Sequence, residues 1–264
     1  MLKHTAGWHI GRVGHIATKK VAVCREPETL DTVLERMGRT GYRRLPVIDN
    51  DGRLKGIITS VDVLRHVARN GPVLTSAGKV MNQQVHAFGA NFTIEQAAHL
   101  FHAIGKGAYP VIEEGRLSGM LSEADFTRHF DRKVDIAVNR LMTHKPLVVG
   151  QHTDIMDAAH RLAFGYRRLP VVENGILLGI LTPTDVLSHL AQNGWKAAGS
   201  KVKDAMRAPV ITIESEADLR HAASKMVEKH LGGLPVTEDG ELLGMVTERD
   251  LADLLFSTLK KGKA

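Results

Sequence analysis

The chain has 264 residues, 43% hydrophobic and 24% charged, the balance of a folded globular protein; no apolar run approaches the ~18 residues of a membrane span, so none is expected. A single cysteine, Cys24, excludes an internal disulfide framework and a cysteine-based zinc cage, and Met1–Thr5 lack an apolar leader, so a cytoplasmic setting is expected. Thirty-five Lys and Arg against 29 Asp and Glu give +6, a charge that suits nucleic acid, an anionic small ligand or solubility alone.

Taken in chain order, the first predicted helix carries Leu30, Val33, Leu34 and Met37 on one face, the i, i+3, i+4, i+7 spacing. A β-rich run at Leu45-Pro46-Val47, the turn Asn50-Asp51-Gly52 and a second run at Gly56-Ile57-Ile58 read as a hairpin. A helix then opens at Thr59, with Asp62 three residues on. The order recurs. Ile94, Ala97, Ala98 and Phe101 precede Tyr109-Pro110-Val111, the turn Glu114-Gly115, Gly119, and Ser122 with Asp125. Ile155, Ala158, Ala159 and Leu162 precede Leu169-Pro170-Val171, Asn174-Gly175, Gly179-Ile180-Leu181, and Thr182 with Asp185. Leu219, Ala222, Ala223 and Met226 precede Leu234-Pro235-Val236, Asp239-Gly240, Gly244, and Thr247 with Asp250. The four aspartates stand 63, 60 and 65 residues apart, so the chain reads as four copies of one unit of strand, helix, strand, turn, strand, helix.

A second periodicity overlies the first. Gly41-Tyr42-Arg43-Arg44-Leu45-Pro46-Val47 recurs letter for letter at Gly165-Tyr166-Arg167-Arg168-Leu169-Pro170-Val171, which indicates a duplicated two-repeat module. The expected repeats are residues 16–70, 78–130, 139–193 and 202–257, grouped into modules 16–130 and 139–257. Ala68–Lys79 and Ala191–Lys201 are expected as links, and the basic ends Met1–His15 and Thr258–Ala264 as frayed.

This pattern resembles the cystathionine-β-synthase (CBS) domain, a β-α-β-β-α unit that pairs into Bateman modules. The resemblance covers residues 16–257 and implies an α/β (α+β) fold of four CBS repeats. It implies that each pair joins through its sheets with two clefts between repeats, and that two modules pack into a disc, the layout of the gamma subunit of AMP-activated protein kinase. It further implies a non-enzymatic sensor that binds AMP, ADP or ATP and regulates a partner, with S-adenosylmethionine or methylthioadenosine as the lesser ligands.

Thr59-x-x-Asp62 and its counterparts fit a capping box at a helix start, and equally an anion site with an acceptor-only carboxylate for a ribose diol. Because the acid is Asp and not Glu, it is expected to reach its own backbone less easily, so both roles coexist. The resemblance assigns Thr59, Asp62, Thr182 and Asp185 to ribose and phosphate. Arg43-Arg44 and Arg167-Arg168 occur only in odd repeats, where even repeats carry Gly107-Ala108 and Gly232-Gly233. Alternation along a strand predicts one inward and one solvated arginine in each pair, the inward one meeting phosphate or both lying in surface salt bridges. By the resemblance Arg44 and Arg168 are the phosphate contacts, with Arg43 and Arg167 second. Their adenine walls would be Gly107, Ala108 and Tyr109 in one cleft, and Gly232, Gly233 and Leu234 in the other. The reverse clefts, built on Ser122 and Asp125 or Thr247 and Asp250 and meeting Tyr42 or Tyr166, lack an arginine and are expected to be empty, weak or nucleoside-selective.

Other residues suggest less. His99 and His102 lie one helical turn apart with no third ligand in pattern, so no metal is expected. His66 and His189, four residues after Asp62 and Asp185, are expected to pair with that aspartate or line the cleft. No nucleophile, base and oxyanion donors assemble, so neither catalysis nor a required cofactor is expected. The expected partners are an adenine nucleotide, an unknown regulated protein and further copies of the module or disc. The alternative is a nucleic-acid-binding or scaffold protein using the basic residues Arg12, Lys19, Lys20, Lys260, Lys261 and Lys263 at its ends.

Overall fold

The computed structural model describes residues 11–71, 75–128 and 135–261. The first repeat comprises α1 (Val13–Ile16), α2 (Leu30–Thr40), the hairpin β1 (Arg44–Ile48) and β2 (Leu54–Thr59), and α3 (Ser60–Asn70). The second comprises α4 (Ala77–Val80), β3 (Phe88–Gly89), α5 (Ile94–Ile104), β4 (Ala108–Glu113), β5 (Arg116–Ser122) and α6 (Glu123–Arg128). The third runs β6 (Thr143–His144), α7 (Ile155–Ala163), β7 (Leu169–Glu173), β8 (Ile176–Leu181) and α8 (Pro183–Asn193). The fourth runs β9 (Ile213–Glu214), α9 (Leu219–Glu228), β10 (Gly233–Glu238), β11 (Glu241–Thr247) and α10 (Glu248–Lys261). Helix α2 begins where the Thr29 hydroxyl accepts the Thr32 N–H and stops at Gly41, whose φ of 71° suits a residue without Cβ. The leading strand of each unit is short: two residues in β3 and β9, and single parallel bridges Cys24–Val47 and Val149–Val171 in the odd repeats.

Each repeat reaches into its neighbour. The segment leading into repeat two crosses back to β2 through the bridge Ile57–Asn82, and the segment leading into repeat one crosses to β5 through Thr18–Met120. The second pair does the same, with Ile180–Arg207 and with β6 on β11 at Met245–Thr143. The glycines before these positions are required by the crossing. A Cβ on Gly56, Gly119 or Gly244 would stand 2.9, 2.9 and 2.8 Å from the carbonyl oxygens of Asn82, Thr18 and Thr143. The hairpin tips also join, Leu117 N–H donating to Gly52 and Leu177 N–H to Gly240.

The cores follow a different pairing. One buried cluster joins repeats two and four, with Phe101, Phe126 and Phe256 in edge and tilted contact. The other joins repeats one and three, with Val63, Leu64, Ala159 and Val186 among its members. Apolar helix faces that a lone module would expose are buried by the opposite module. The ends also depart from expectation. Val13 of α1 is fully buried in the second-and-fourth-repeat core, so that end is anchored, and α10 continues as helix through Lys261. Helix α3 runs to Asn70 and therefore takes in the start of the expected link. Residues 1–10, 72–74, 129–134 and 262–264 of the expected ends and links lie outside the described residues. No helix among the described residues is long and apolar enough to cross a membrane.

Candidate functional site

All four hydroxyl-x-x-Asp motifs sit at the junction of hairpin and helix, and in all four the Asp closes on its own backbone. Asp62, Asp125, Asp185 and Asp250 accept the N–H of Thr59, Ser122, Thr182 and Thr247 at 2.9, 2.6, 2.9 and 2.7 Å. The same Oδ2 accepts the hydroxyl at 2.6, 2.7, 2.5 and 2.7 Å. This corrects the expectation that the shorter acid reaches its backbone poorly. Each carboxylate has about four acceptor positions, and the cap fills those of Oδ2, leaving Oδ1 as the oxygen open to other partners.

The partner of Oδ1 distinguishes the clefts. Asp62 meets Arg65 of its own helix at 3.3 Å. Asp125 is fully buried and meets both Arg128 and the Thr18 hydroxyl, the latter at 3.2 Å from the crossing segment of repeat one. Asp185, also buried, accepts Arg207 Nε at 2.5 Å from the crossing segment of repeat four. Burial pushes the Asp250 carboxyl upward. The crossing residues lie far from the motifs they serve, Thr18 107 positions from Asp125 and Arg207 22 positions from Asp185. Their signal was a methionine at the crossing, in Met81-Asn82, Met142-Thr143 and Met206-Arg207.

The arginine pairs converge where the four repeats meet. A Cβ on Gly107 would come within 2.8 Å of Arg44 Nη2, 2.9 Å of Glu123 Oε2 and 3.0 Å of Arg167 Nη1. A Cβ on Gly232 would meet Arg168 Nη2, with Arg43 Nη2 at 2.7 Å and Glu248 Oε2 at 3.0 Å. Each site thus combines an arginine of its own module, Arg44 or Arg168, with one from the other, Arg167 or Arg43. The expected split into one inward and one solvated arginine describes the second pair, where Arg167 is exposed and Arg168 half-buried, but not the first, where Arg43 and Arg44 are both half-buried. Arg167, its side chain 46% exposed, is paired at 3.3 Å with the buried Glu123, so the ion pair is covered on its acidic side only.

Four guanidiniums (Arg43, Arg44, Arg167 and Arg168) therefore share two carboxylates, Glu123 and Glu248. Loss of solvation, reinforced by the neighbouring charge of Arg43, lowers Arg44 to about 10 and Arg168 to about 9. Burial also raises the Glu248 carboxyl. Arg249 bonds Glu123 at 3.5 Å and Asp253 at 2.8 Å, which leaves its charge matched. Sequence reasoning missed both glutamates. They occupy the first helical position of even repeats, where odd repeats carry Ser60 and Pro183, the mirror image of the arginine pattern.

The proposed walls divide. Gly107 and Gly232 border the arginines, and Ala108 and Gly233 are buried beside them. Tyr109 and Leu234 face the core: Tyr109 packs 4.9 Å from Phe88 and 4.6 Å from Phe101, and Leu234 lies in the same cluster. Strand alternation turns them away from the clefts, so the expectation that they wall adenine is corrected. Tyr42 and Tyr166 are exposed, and the Tyr42 hydroxyl donates to the Lys20 carbonyl in the segment that also carries Thr18. Neither histidine pairs with the aspartate four residues earlier. His189 meets Ser200 at 3.1 Å, and both histidines meet the asparagine one turn later, Asn70 or Asn193. Among the described residues no three His, Cys, Asp or Glu side chains form a metal-holding group.

The family model described as the CBS domain matches residues 13–69, 77–132, 138–192 and 202–257. The chain belongs to the CBS-domain family. The uncharacterized protein MJ1225 of Methanocaldococcus jannaschii is 28% identical over 276 residues, spanning 91% of this chain and 97% of that one. An uncharacterized 33.4 kDa protein of Thermofilum pendens is 28% identical, covering 83% and 82%. The crystal structure of MJ1225, proposed as an archaeal homologue of the AMP-activated kinase gamma subunit, superposes with a TM-score of 0.85 at 26% identity over 93% of this CBS protein and all of that one. An uncharacterized conserved protein of Pyrococcus horikoshii shares the fold, with a TM-score of 0.63 at 23% identity over 93% of this chain and all of that one.

Proposed function

We propose that this CBS protein is a non-catalytic sensor that binds AMP, ADP or ATP in the clefts of Asp62 with Arg44 and of Asp185 with Arg168, and regulates a partner through the arrangement of its repeats. CBS pairs are ligand-binding regulatory modules, and the similarity to MJ1225 extends over all four. The observation that carries the reading is the half-buried arginine cluster at Gly107 and Gly232, where four guanidiniums face two carboxylates. Like charges held in partial desolvation are costly, and a phosphate between them relieves that cost with charge-assisted hydrogen bonds. An uncharged methylthioadenosine would leave the arginines unmatched, and S-adenosylmethionine would bring one carboxylate together with two further positive charges.

A thermal-shift panel of AMP, ADP, ATP, GTP and S-adenosylmethionine tests it, since a ligand of the folded state raises the melting temperature by mass action. Adenine nucleotides are expected to shift the transition more than GTP or S-adenosylmethionine. Salt-dependent binding to DNA or RNA with no nucleotide shift would transfer the function to the basic surface.

A further inference from the structure

One position recurs in every cleft: the crossing residue bridged to the residue after the hairpin glycine, which is Thr18, Asn82, Thr143 and Arg207 in turn. In two clefts this side chain bonds the motif aspartate, Thr18 to Asp125 and Arg207 to Asp185. The two arginine-bearing clefts come from duplicated modules, yet they differ in charge here, Asn82 against Arg207. Arg207 binds Asp185 through Nε alone, and its side chain is 63% exposed while Asp185 is nearly covered. Its two terminal nitrogens stay available at the cleft edge.

In antiparallel pairing, bridged residues share a face, and residues two apart on a strand share it too. Arg207 therefore lies on the face of Ile180 and Thr182. In the first repeat the register sets Arg44 opposite Thr59, and the duplicated hairpin places Arg168 opposite Thr182. Arg168 and Arg207 thus flank the Thr182 cap from neighbouring strands in the second module; in the first only Arg44 does so, and the cation on Asp62 Oδ1 is Arg65 of its own helix, whose Nη2 is committed to the Ala163 carbonyl at 2.9 Å.

We infer that Arg207 is a specificity residue that makes the cleft of repeats three and four select phosphorylated nucleotides over adenosine more strongly than the cleft of repeats one and two. The inference rests on the nucleotide reading above. A ribose hydroxyl approaching Asp185 Oδ1 competes with Arg207 Nε, so an uncharged nucleoside must share or break that ion pair. A ligand with phosphate returns a partner to the guanidinium and recovers the loss.

The experiment is calorimetric titration of the full chain with adenosine, AMP and ADP. An Asp62→Ala background leaves the second-module cleft to be read, and Asp185→Ala the first. Arg207→Asn, which installs the side chain of the sister cleft, is expected to lower the ADP-to-adenosine affinity ratio by about fivefold in the Asp62→Ala background, adenosine being held no worse. Asn82→Arg in the Asp185→Ala background is expected to raise that ratio. Unchanged ratios in both swaps, with nucleotide still bound, overturn the role of Arg207 and leave the nucleotide reading standing. Absence of binding by the unsubstituted chain overturns both.

Discussion

Arg44 ends 2.8 Å from the place a Cβ on Gly107 would occupy, so a guanidinium of repeat one is seated on a bare backbone of repeat two. The paired arginines of odd repeats and the small residues of even repeats are therefore two halves of one construction. Gly107→Ala would meet the movable ends of Arg44, Glu123 and Arg167, not backbone. The expected result is a small stability change, about 1 kcal/mol or less, with AMP binding weakened about tenfold as Arg44 is pushed aside. Urea unfolding and calorimetry measure the two quantities separately.

Arg44→Ala removes a charge that the fold holds at a cost. Without ligand the variant is expected to melt no lower than the parent, and AMP affinity to fall about tenfold while adenosine changes by less than about twofold. Equal losses for both ligands would contradict the phosphate assignment.

Asp62 and Asp125 occupy equivalent places with different burdens. Asp125→Ala leaves the part-buried Ser122 N–H and the Thr18 hydroxyl without this acceptor and Arg128 without its carboxylate, and is expected to cost about 2–4 kcal/mol. Asp62→Ala is expected to cost about 1 kcal/mol, the value of a helix cap, and to remove one nucleotide site. Denaturant titration with calorimetry would show whether stability and binding separate in this way.

Gly119→Ala addresses the crossing segment. Its Cβ would face the Thr18 carbonyl at 2.9 Å, a backbone atom held by two hydrogen bonds between Thr18 and Met120. A loss of about 1–3 kcal/mol is expected in urea unfolding.

Cys24 supplies a pH dependence. Burial, with a smaller contribution from Glu28 against that of Arg36, pushes its thiol up to about 12. The unfolded chain then releases this proton first, so stability is unaffected below about pH 9 and falls between about 9 and 12 by up to ~1.4 kcal/mol per unit. At pH 8 iodoacetamide is expected to label Cys24 only in denaturant, and rapid native labelling would contradict its burial.

Much of the fold was legible because helices and hairpins leave local periodicities. Leu30, Val33 and Met37 mark a face that is buried as expected, and Thr59 with Asp62 marks a helix start. What was not legible depends on contacts between distant segments. Arg207 belongs to the leading segment of repeat four yet serves Asp185 of repeat three, and the methionine that recurs before three of the crossing residues does not say which strand they meet. Glu123 and Glu248 resemble ordinary first-turn acids until the arginines of other repeats are seen against them. Tyr109 was misplaced because its position beside two small residues says nothing of which strand face it occupies; its packing on Phe101 does.

The two pairings of the repeats, sheets joined one way and helix cores the other, set a limit on how this protein can be dissected. No cut between repeats yields an autonomous piece. A lone repeat would lack the strand that closes its cleft, and a lone pair would keep its clefts but bare the helix faces around Phe101 and Ala159. Such a half would find its missing cover most readily in a second half, so fragments prepared for binding work are expected to dimerise through those faces.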